Sequence, residues 1–416
     1  METTAFLHFT VNTFTDKEWG DGSESPLIFN PIHLDARQWI RTLRDAGFKL
    51  AIITAKHHDG FCLWPSKYTD HSVKSSPWKN GKGDVVKEVA DACKEYGLKF
   101  GFYLSPWDQH EPGYGTPQYN EFYKKQLTEL LTNYGEITEV WFDGAKGKNQ
   151  KDMVYDFDGY WKLVRQLQPR AVLFSDAGPD VRWVGNESGN AAETCWSTID
   201  KSGIEIGKAN ARYLNTGDPN GKDWVPAETD VSIRPGWFYH PSENNRVKSA
   251  TELVNLYYQS VGRNSLLLLN VPPNREGLFS KEDSLSLVGF RKILNQTFSI
   301  NLAKGGVSKN LTDRSLQTYV TLKVNQPLTI GLEKAKDFNQ ASFQENIANG
   351  QRVEEAKLEY FDGVTWKLIA SFSTIGHKRL LRFENISTSK IRFTVLKAKG
   401  EVQLAEVGLY KSSVGD

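Results

Sequence analysis

The feature that most constrains the fold is a regular alternation of strand and helix patterns between Phe6 and Val271. Short apolar runs of strand length alternate with longer amphipathic segments, several of which end at a glycine. The predicted strands span 6–14, 49–54, 98–104, 137–142, 171–174 and 265–271, and the predicted helices span 35–47, 84–97, 118–134, 160–167 and 249–261. Strands that alternate with helices over this length are typical of a parallel sheet covered by helices.

Polar residues gather where the predicted strands end, and their position favours a barrel over an open sheet. His8, Tyr103 and Asp143 each lie near the carboxyl end of a strand, which is the rim where a (β/α)8 barrel builds its active site. A doubly wound sheet would usually carry a glycine-rich phosphate loop after its first strand, whereas residues 13–19 contain no glycine. We therefore predict an α/β fold, a (β/α)8-like (TIM-type) barrel. The irregular stretch 178–226 indicates that its later units are short or degenerate.

The pattern changes to short strands after a helix predicted for 284–298. The runs that alternate with period two are 318–324, 328–332, 357–361, 366–372, 380–383, 390–396 and 401–410. Short strands at this spacing are typical of a β-sandwich. We predict two domains, a barrel over 1–298 and a C-terminal β-sandwich over 299–416. The role of the sandwich stays open between a carbohydrate-binding module, part of an acceptor site and a structural brace. Its one tryptophan, Trp366, weighs against an aromatic sugar platform.

The composition excludes several classes of partner and cofactor. Charged residues make up 24% and the formal net charge is +1, so no nucleic-acid partner is indicated. No apolar run is long enough to span a membrane. The 3 cysteines, Cys62, Cys93 and Cys195, are too few for a disulfide framework and lack the spacing of metal ligands. The cysteines therefore indicate no metal site, and the oligomeric state stays open.

The N-terminus bears on the cellular location. Residues Met1–Thr4 lead directly into an apolar run, without the basic segment, long apolar segment and cleavage site of a secretory signal. A native signal that has been trimmed, followed by an added initiator Met, would give the same pattern. We expect a periplasmic or secreted protein whose signal peptide has been removed, and a cytoplasmic location stays open.

A strand that ends in a carboxylate is the first candidate for chemistry. In the run Glu139–Ala145, an apolar strand reaches Asp143 and a glycine follows at once. Because side chains alternate along a strand, Trp141 and Asp143 point to the same side of the sheet. An acid beside a large aromatic at a strand end suits catalysis. On these residues alone, an aspartate that caps a turn is an equally good interpretation.

The run Lys56–Phe61 (KHHDGF) has three interpretations: hydrogen bonding to a polar ligand, metal binding, and purely structural histidines. Histidine and aspartate both ligate metals. Adjacent strand residues point to opposite faces, however, so His57 and His58 do not easily share one ion. A spaced His-x-His pair, which would place two imidazoles on one face, is missing from this run. Ligand binding at the barrel rim is therefore favoured, with structural histidines as the main alternative.

A second acid is harder to place. Glu187 follows a glycine and an asparagine in the run Trp183–Gly189, so it belongs to a loop, where most acids are merely solvated. Glu193 and Asp176 compete with it on position alone. Two carboxylates at a barrel rim, with aromatic and histidine neighbours, suggest glycoside hydrolysis, in which retaining enzymes use one as nucleophile and the other as general acid and base.

Several motifs, in order, resemble those of the α-L-fucosidases of glycoside hydrolase family 29, and the resemblance covers the whole chain. The motifs are His8–Phe9 with Asn12–Phe14, Glu18–Trp19, Lys56–Trp64, Gly101–Trp107, Glu139–Gly144, Ser232–Tyr239 and Asn264–Pro273. The combination of KHHDGF with WFDG is highly specific. A C-terminal β-sandwich also matches the architecture of that family.

The resemblance implies a role for each matching residue. Asp143 resembles the nucleophile that attacks the anomeric carbon of fucose. Glu187, in the run RWVGNE, resembles the acid/base of the subgroup that acts on branched α-1,3/1,4-linked fucose, and Arg182 of the same run is implied as an active-site cation. The residues implied to bind the sugar's hydroxyls, its ring or (for Trp237) its methyl group are His8, Glu18, Trp19, His57, His58, Trp64, Tyr103, Trp141 and Trp237.

The activity that this resemblance implies is the exo-acting release of α-L-fucose from α-1,3/1,4-fucosylated, Lewis-type glycans. It would proceed with retention through a fucosyl-enzyme intermediate, without a cofactor, and the expected partner is the fucosylated glycan substrate. One alternative is a fucosidase of the broader subgroup, which accepts aryl and α-1,2-linked fucosides. Another is a fucose-binding protein that has lost catalysis, although the presence of both carboxylates weighs against it.

Overall fold

The computed structural model describes residues 1–147 and 153–412, and the first part of the chain forms a closed barrel of parallel strands. The strands are β1 (Thr3–Leu7), β2 (Leu50–Lys56), β3 (Lys99–Leu104), β4 (Glu139–Trp141), β5 (Val172–Ser175), β6 (Val181–Trp183), β7 (Ala227–Ser232) and β8 (Ser265–Asn270). Neighbouring strands pair in parallel, and β8 closes the barrel against β1. The predicted (β/α)8-like barrel is confirmed.

Helices cover the outside of the barrel. They are α1 (Val11–Thr15), α2 (Ala36–Asp45), α3 (Val85–Tyr96), α4 (Gln118–Asn133), α5 (Phe157–Leu167), α6 (Ala211–Thr216), α7 (Ala250–Gln259) and α8 (Lys281–Phe298). Asp35 and Asp84 begin α2 and α3 by accepting backbone N–H groups of the first turn. Helix α2 buries Trp39, Ile40 and Leu43, the face that the sequence pattern predicts. Within residues 1–147 and 153–412, no helix is long and apolar enough to cross a membrane.

Two apolar layers hold the barrel together. Inside it, Phe6, Ile52 and Leu268 pack with the stacked pair Trp141 and Phe174, whose ring centroids lie 4.2 Å apart. Outside it, a larger cluster joins the strands to the helices. The interior is therefore a packed core, and the chemistry of such a barrel is confined to the rim at the carboxyl ends of the strands.

Two parts of the barrel depart from the regular pattern. The strand predicted for 6–14 is wrong in its second half, because β1 ends at Leu7 and Thr10 then caps α1 by accepting a backbone N–H. The later units are short, as expected. Residues 176–180 join β5 to β6 without a helix, and residues 184–226 between β6 and β7 hold only α6 and a small two-stranded ladder.

The C-terminal part is an antiparallel six-stranded sheet with its own core. Its strands are β9 (Val320–Leu322), β10 (Leu328–Glu345), β11 (Val353–Phe361), β12 (Trp366–Ser373), β13 (Arg379–Ala398) and β14 (Val402–Tyr410), in the order β9-β14-β10-β13-β11-β12. Register shifts bend the long strands around a core that includes Phe338 and Phe393. This architecture is consistent with the predicted β-sandwich. The runs predicted separately at 380–383 and 390–396 are one strand, and the boundary at 298/299 stays a prediction.

Candidate active site

Asp143 lies at the rim of the barrel, two residues beyond the end of β4. Its Oδ2 accepts a hydrogen bond from the Tyr103 hydroxyl at 3.0 Å, and its Oδ1 accepts the backbone N–H of Ala145 at 2.8 Å. His58 Nε2 lies 3.8 Å from Oδ2, and 25% of the Asp143 side chain is exposed. The carboxylate is thus oriented by two donors and still open to a ligand from solvent.

Trp141 lies on the same side of β4 as Asp143, and its ring centroid is 5.3 Å from that of Tyr103, the donor to Asp143. Trp141 packs inside the barrel, whereas Val140 and Phe142 pack outside it against the helices, as the predicted alternation requires. The indole Nε1 of Trp141 donates to a carboxylate oxygen of the buried Glu228 at 3.1 Å. This hydrogen bond fixes the orientation of the ring.

Three buried histidines line the pocket next to Asp143. The ring centroid of His57 lies 5.5 Å from that of His8 and 4.0 Å from that of His58. Burial lowers the pKa of His8 to about 3 and that of His58 to about 4, although the charge on Asp143 partly offsets the effect on His58. Burial and the neighbouring imidazoles also hold the pKa of His57 well below its ordinary value. All three rings are therefore neutral near pH 7.

The hydrogen bonds around His58 and His8 assign their tautomers. Ser105 Oγ donates to the carbonyl of Trp107 at 2.6 Å, so it accepts from His58 Nδ1 at 2.8 Å. Asn270 uses its Nδ2 as a donor elsewhere, so its Oδ1 accepts from His8 Nδ1 at 2.9 Å. The Nε2 atom of each ring is then a free acceptor. Neutral imidazoles in this state accept hydrogen bonds from the hydroxyl groups of a sugar.

Glu18 holds the loop that follows β7 against the pocket. Its two oxygens accept the backbone N–H groups of Trp237 at 2.9 Å and of Phe238 at 3.1 Å, and Oε1 lies 2.7 Å from His240 Nε2. The Trp237 ring lies 5.1 Å from the His8 ring between centroids. Glu18 therefore fixes the position of Trp237 beside the histidines.

Glu187 faces the same mouth from the loop after β6. Its Oε2 accepts the indole N–H of Trp237 at 3.3 Å. The residue is exposed at the mouth, yet the surroundings of its carboxyl group are desolvated enough to raise its pKa. The charges on Asp143 and Glu18 raise this pKa further, while the hydrogen bond from Trp237 opposes the change. A carboxyl group with a raised pKa opposite an oriented carboxylate is what acid/base chemistry needs.

The structure also separates the competitors of Glu187. Asp176 lies at the end of β5, where burial and the charge on Asp143 raise its pKa to about 6, although the N–H of Gly207 donates to its Oδ2 at 2.7 Å. Glu193 is 77% exposed and lies 3.4 Å from Arg263, on the side of the C-terminal sheet. Glu187 and Asp176 thus lie close enough to Asp143 for its charge to raise their pKa values. Glu193 instead pairs with Arg263.

Two of the predicted substrate-binding residues lie elsewhere. Arg182 is fully buried, and its guanidinium donates to the carbonyls of Leu214 at 2.8 Å and Trp196 at 2.7 Å. Trp64 belongs to the outer core, and its indole N–H donates to Glu129 at 2.9 Å. Neither side chain presents a free surface in this structure, so their predicted contact with the substrate stays a prediction that these placements do not favour.

Trp19 lies at the outer edge of the site. It is 62% exposed, and its ring meets Trp107 edge-on with centroids 6.1 Å apart. Trp107 in turn packs on His58 at 4.5 Å between centroids. The structure therefore joins most of the predicted set into one group and places Trp19 on its rim.

Sequence reasoning misses three supporting residues: Asn270, Trp107 and Glu228. Asn270 is the last residue of β8, so the strand-end signal that identifies His8 could also have found it. Trp107 stands at the end of the motif Gly101–Trp107, but only its contact with a histidine gives it a role. Glu228 lies within β7 and meets Trp141 only because the barrel closes, so the sequence carries no signal for it.

Comparison with known proteins identifies the family. The chain matches the family model for α-L-fucosidase over residues 4–296. It is 51% identical to α-L-fucosidase 1 of Arabidopsis thaliana, over 97% of this chain and 84% of that protein. A glycoside hydrolase family 29 fucosidase of Ruminococcus gnavus, solved in complex with fucose, superimposes with a TM-score of 0.91 at 38% identity and covers 99% of this chain and 93% of its own. A family 29 member from an unknown rumen bacterium gives a TM-score of 0.92 at 44% identity, over 100% of this chain and 76% of its own. The chain therefore belongs to the α-L-fucosidases of glycoside hydrolase family 29, glycosidases that act on fucosylated substrates.

Proposed function

We propose that this chain releases terminal α-L-fucose with retention, with Asp143 as the nucleophile and Glu187 as the general acid and base, and that it selects α-1,3/1,4-linked fucose on branched, Lewis-type glycans. One observation carries the assignment of the two acids. Glu187 accepts the indole N–H of Trp237, whose ring lies 5.1 Å from that of His8, and Asp143 lies 3.8 Å from His58, so the two carboxyl groups flank one group of rings. In a retaining glycosidase, two carboxyl groups at one site divide the roles of nucleophile and general acid.

In the first step, an oxygen of Asp143 bonds to the anomeric carbon of fucose while the bond from that carbon to the departing oxygen breaks. Glu187 gives its proton to the departing oxygen, so the acceptor leaves as an alcohol and Glu187 becomes a carboxylate. Its raised pKa supports this role, because a larger fraction is protonated near neutral pH. The donors Tyr103 and Ala145 keep the attacking carboxylate in place.

In the second step, the Glu187 carboxylate takes a proton from a water molecule, and the water oxygen bonds to the anomeric carbon. The bond to Asp143 breaks, which restores its carboxylate and leaves Glu187 protonated again. Two inversions at the same carbon give net retention. No step requires a redox change, and all protons are exchanged between Glu187, the acceptor and water.

The neutral histidines support a sugar as the ligand of this pocket. The unprotonated Nε2 atoms of His8 and His58 are acceptors for hydroxyl hydrogens, and the aromatic faces of Trp141 and Trp237 suit the apolar face and methyl group of fucose. Neutral imidazoles and aromatic rings place no net charge against the ligand, which agrees with a neutral substrate. Each hydroxyl–imidazole hydrogen bond should therefore contribute to binding only while the histidine stays neutral.

The preference for α-1,3/1,4 linkages rests on the run RWVGNE and on the place of Glu187 in a loop at the mouth, where acceptor sugars would lie. Initial rates on a Lewis-type trisaccharide, an α-1,2-linked fucoside and an aryl fucoside test it. We expect kcat/KM to be highest by at least an order of magnitude for the trisaccharide. Comparable values for all three would support the broad-specificity alternative instead. Binding without release of fucose over days would support a lectin.

We further propose that the enzyme works in the periplasm or outside the cell, because polymeric glycans with terminal fucose are encountered there. Fractionation of the native host, followed by immunodetection and a fucosidase assay of each fraction, tests the location. Activity confined to the cytoplasmic fraction would contradict it.

A further inference from the structure

The loop that carries Glu187 belongs to a long excursion between β6 and β7, residues 184–226, whose base is held from the barrel side by Arg182. The guanidinium of Arg182 donates to the carbonyls of Trp196, Leu214 and Val225, which lie far apart along the excursion. One buried cation therefore gathers three backbone segments against β6. The part of the excursion around Trp196 is also bound from the opposite side.

That opposite side is the C-terminal sheet, and its main contact is Gln351, in the connection between β10 and β11. Gln351 is 6% exposed. Its Oε1 accepts the backbone N–H of Ser197 at 2.8 Å, and its Nε2 donates to the carbonyl of Cys195 at 3.0 Å. The side-chain amide thus pairs with the backbone as a neighbouring strand would. Both of its polar ends are used on one segment of the catalytic barrel.

Asn264, just before β8, completes this contact from the barrel. Its Nδ2 lies 3.0 Å from the carbonyl of Cys195 and 3.2 Å from Gln351 Oε1, and its Oδ1 accepts the N–H of His377 at 2.7 Å. The residue has a left-handed backbone with φ of 63°, which asparagine tolerates better than most residues. Asn264 therefore links the barrel, the excursion and the C-terminal sheet at one point.

Further residues of the sheet bind the same segment. Arg379 donates to the carbonyl of Glu193 at 2.5 Å, and Thr374 Oγ1 accepts the N–H of Cys195 at 3.3 Å. The hydroxyls of Ser373 and Thr194 lie 2.6 Å apart. Residues 193–197 are consequently held to the C-terminal sheet by side chains and main chain together.

Glu187 lies on the short stretch between the end of β6 and this segment. The N–H of Val184 is bound by the carbonyl of Glu228 at 3.0 Å, and the carbonyl of Ala191 accepts from Arg263 at 2.9 Å. Among the described residues, Trp237 is the hydrogen-bond donor to the Glu187 carboxylate. The position of the carboxyl group therefore depends on how firmly the two ends of its loop are held.

We propose that the C-terminal sheet, through Gln351, positions the loop that carries Glu187. Gln351 is thus a positioning residue for the acid/base step, and the sheet is a brace for catalysis. This inference rests on the proposed role of Glu187. Loss of the Gln351 amide would leave the N–H of Ser197 without its acceptor and remove one donor from the carbonyl of Cys195. Residues 195–197 would then be held less firmly, the loop that precedes them would be less well fixed, and Glu187 would protonate the departing oxygen less effectively.

The expected signature is selective for the leaving group. When the substrate is an oligosaccharide, the departing sugar is a poor leaving group and needs a proton from the acid. The departing group of an activated aryl fucoside needs this proton far less. For Gln351→Ala we expect kcat/KM to fall about tenfold for the trisaccharide and about twofold or less for the aryl fucoside. Gln351→Glu keeps an acceptor for Ser197, and its second oxygen can donate to the carbonyl of Cys195 in the protonated form that burial favours, so it should recover part of the trisaccharide rate.

The matched control is Asn346→Ala. Asn346 is 8% exposed and also sits between β10 and β11, but its side-chain amide donates to Gln403 within the sheet at 3.0 Å. For this variant, the ratio of kcat/KM on the trisaccharide to kcat/KM on the aryl fucoside should equal that of the unmodified enzyme. Equal losses on both substrates for Gln351→Ala, or no loss in a folded protein, would overturn the inference. If Gln351→Ala does not fold, the ratio for Gln351→Glu decides in the same way.

Glu187→Ala, measured alongside, separates the inference from the function on which it rests. A selective loss in Glu187→Ala without one in the Gln351 variants would reject only the brace. Equal losses on both substrates in Glu187→Ala would reject Glu187 as the acid and the brace with it. Selective losses in both, larger for Glu187→Ala, support both statements.

Discussion

Asp59, in the KHHDGF run beside the pocket, should make the enzyme less stable at neutral than at acidic pH. The residue is fully buried. Its Oδ2 accepts the Thr10 hydroxyl at 2.8 Å, and its Oδ1 accepts the N–H of Phe61 at 2.7 Å. Burial raises its pKa from 3.8 to about 7 and outweighs these two hydrogen bonds, and the charges on Glu24 and Asp108 act in the same direction as burial. The folded protein therefore keeps a proton that the unfolded chain has already lost.

The sign and size of the effect follow from these two pKa values. Because the pKa of Asp59 is higher in the folded state, its contribution to stability is complete below pH 3.8 and is lost as the pH rises through about 7. Integration between pH 5 and pH 8 gives a loss of roughly 2–3 kcal/mol in the free energy of unfolding. Asp59→Asn keeps the shape of the protonated acid and cannot ionise. The variant should therefore gain roughly 2–3 kcal/mol relative to the unmodified protein over this range.

Urea unfolding at pH 5, 6, 7 and 8, followed by tryptophan fluorescence, measures this difference for both proteins. Asp91→Asn is the control, because Asp91 is 60% exposed and pairs with Lys87 on the surface of α3. Its effect should stay within about 0.5 kcal/mol at every pH. A difference between Asp59→Asn and the unmodified protein that does not vary with pH would refute the reasoning, since Asp59 would then not hold its proton on folding.

Three further predictions concern the chemistry. Asp143→Ala should lower kcat by several orders of magnitude while thermal unfolding stays close to normal, and azide should restore part of the turnover as the inverted fucosyl azide, identified by NMR. Near-normal activity would remove Asp143 as the nucleophile. Glu187→Ala should lose more rate on an oligosaccharide than on an activated aryl fucoside in steady-state assays, and equal losses would point to another acid such as Asp176. Trp237→Phe removes the N–H that lowers the pKa of Glu187, so the basic limb of the kcat/KM–pH profile should move to higher pH. An unchanged limb would contradict that contact.

The ends of the predicted strands locate much of the site from the amino-acid sequence alone. His8, Tyr103 and Asp143 are identifiable because parallel strands bring their carboxyl ends to one rim. Apolar alternation does not predict where the chain goes after the strand ends. Thr10 caps a helix at a place where the apolar pattern predicts more strand, because a local hydrogen bond to the backbone outweighs alternation there.

Motif membership is a poorer guide than strand geometry. Arg182 shares a run with Glu187, but it alternates along β6 with Val181 and Trp183, which pack into the barrel interior. Its side chain therefore points away from the interior and into the excursion. Trp64 likewise stands at the end of the histidine motif, after the chain has left the rim for the outer core.

The division of roles between the carboxyl groups, which the family resemblance implies, has a physical basis in the geometry. Position in the sequence identifies Asp143 by its strand end, but it leaves Asp176, Glu187 and Glu193 as equal candidates for the second acid. Asp143 receives a hydroxyl and a backbone N–H, and donors of this kind stabilise a carboxylate. Desolvation and the charge of Asp143 favour the protonated form of Glu187, and the one long hydrogen bond from the Trp237 indole opposes them only in part. Asp176 shares the raised pKa, but its Oδ2 is bound to the backbone of Gly207, which ties this acid to the structure of the rim. An oriented carboxylate near an acid that retains its proton is the arrangement in which attack and proton donation can occur in one step, and here the barrel supplies the carboxylate and the excursion supplies the acid.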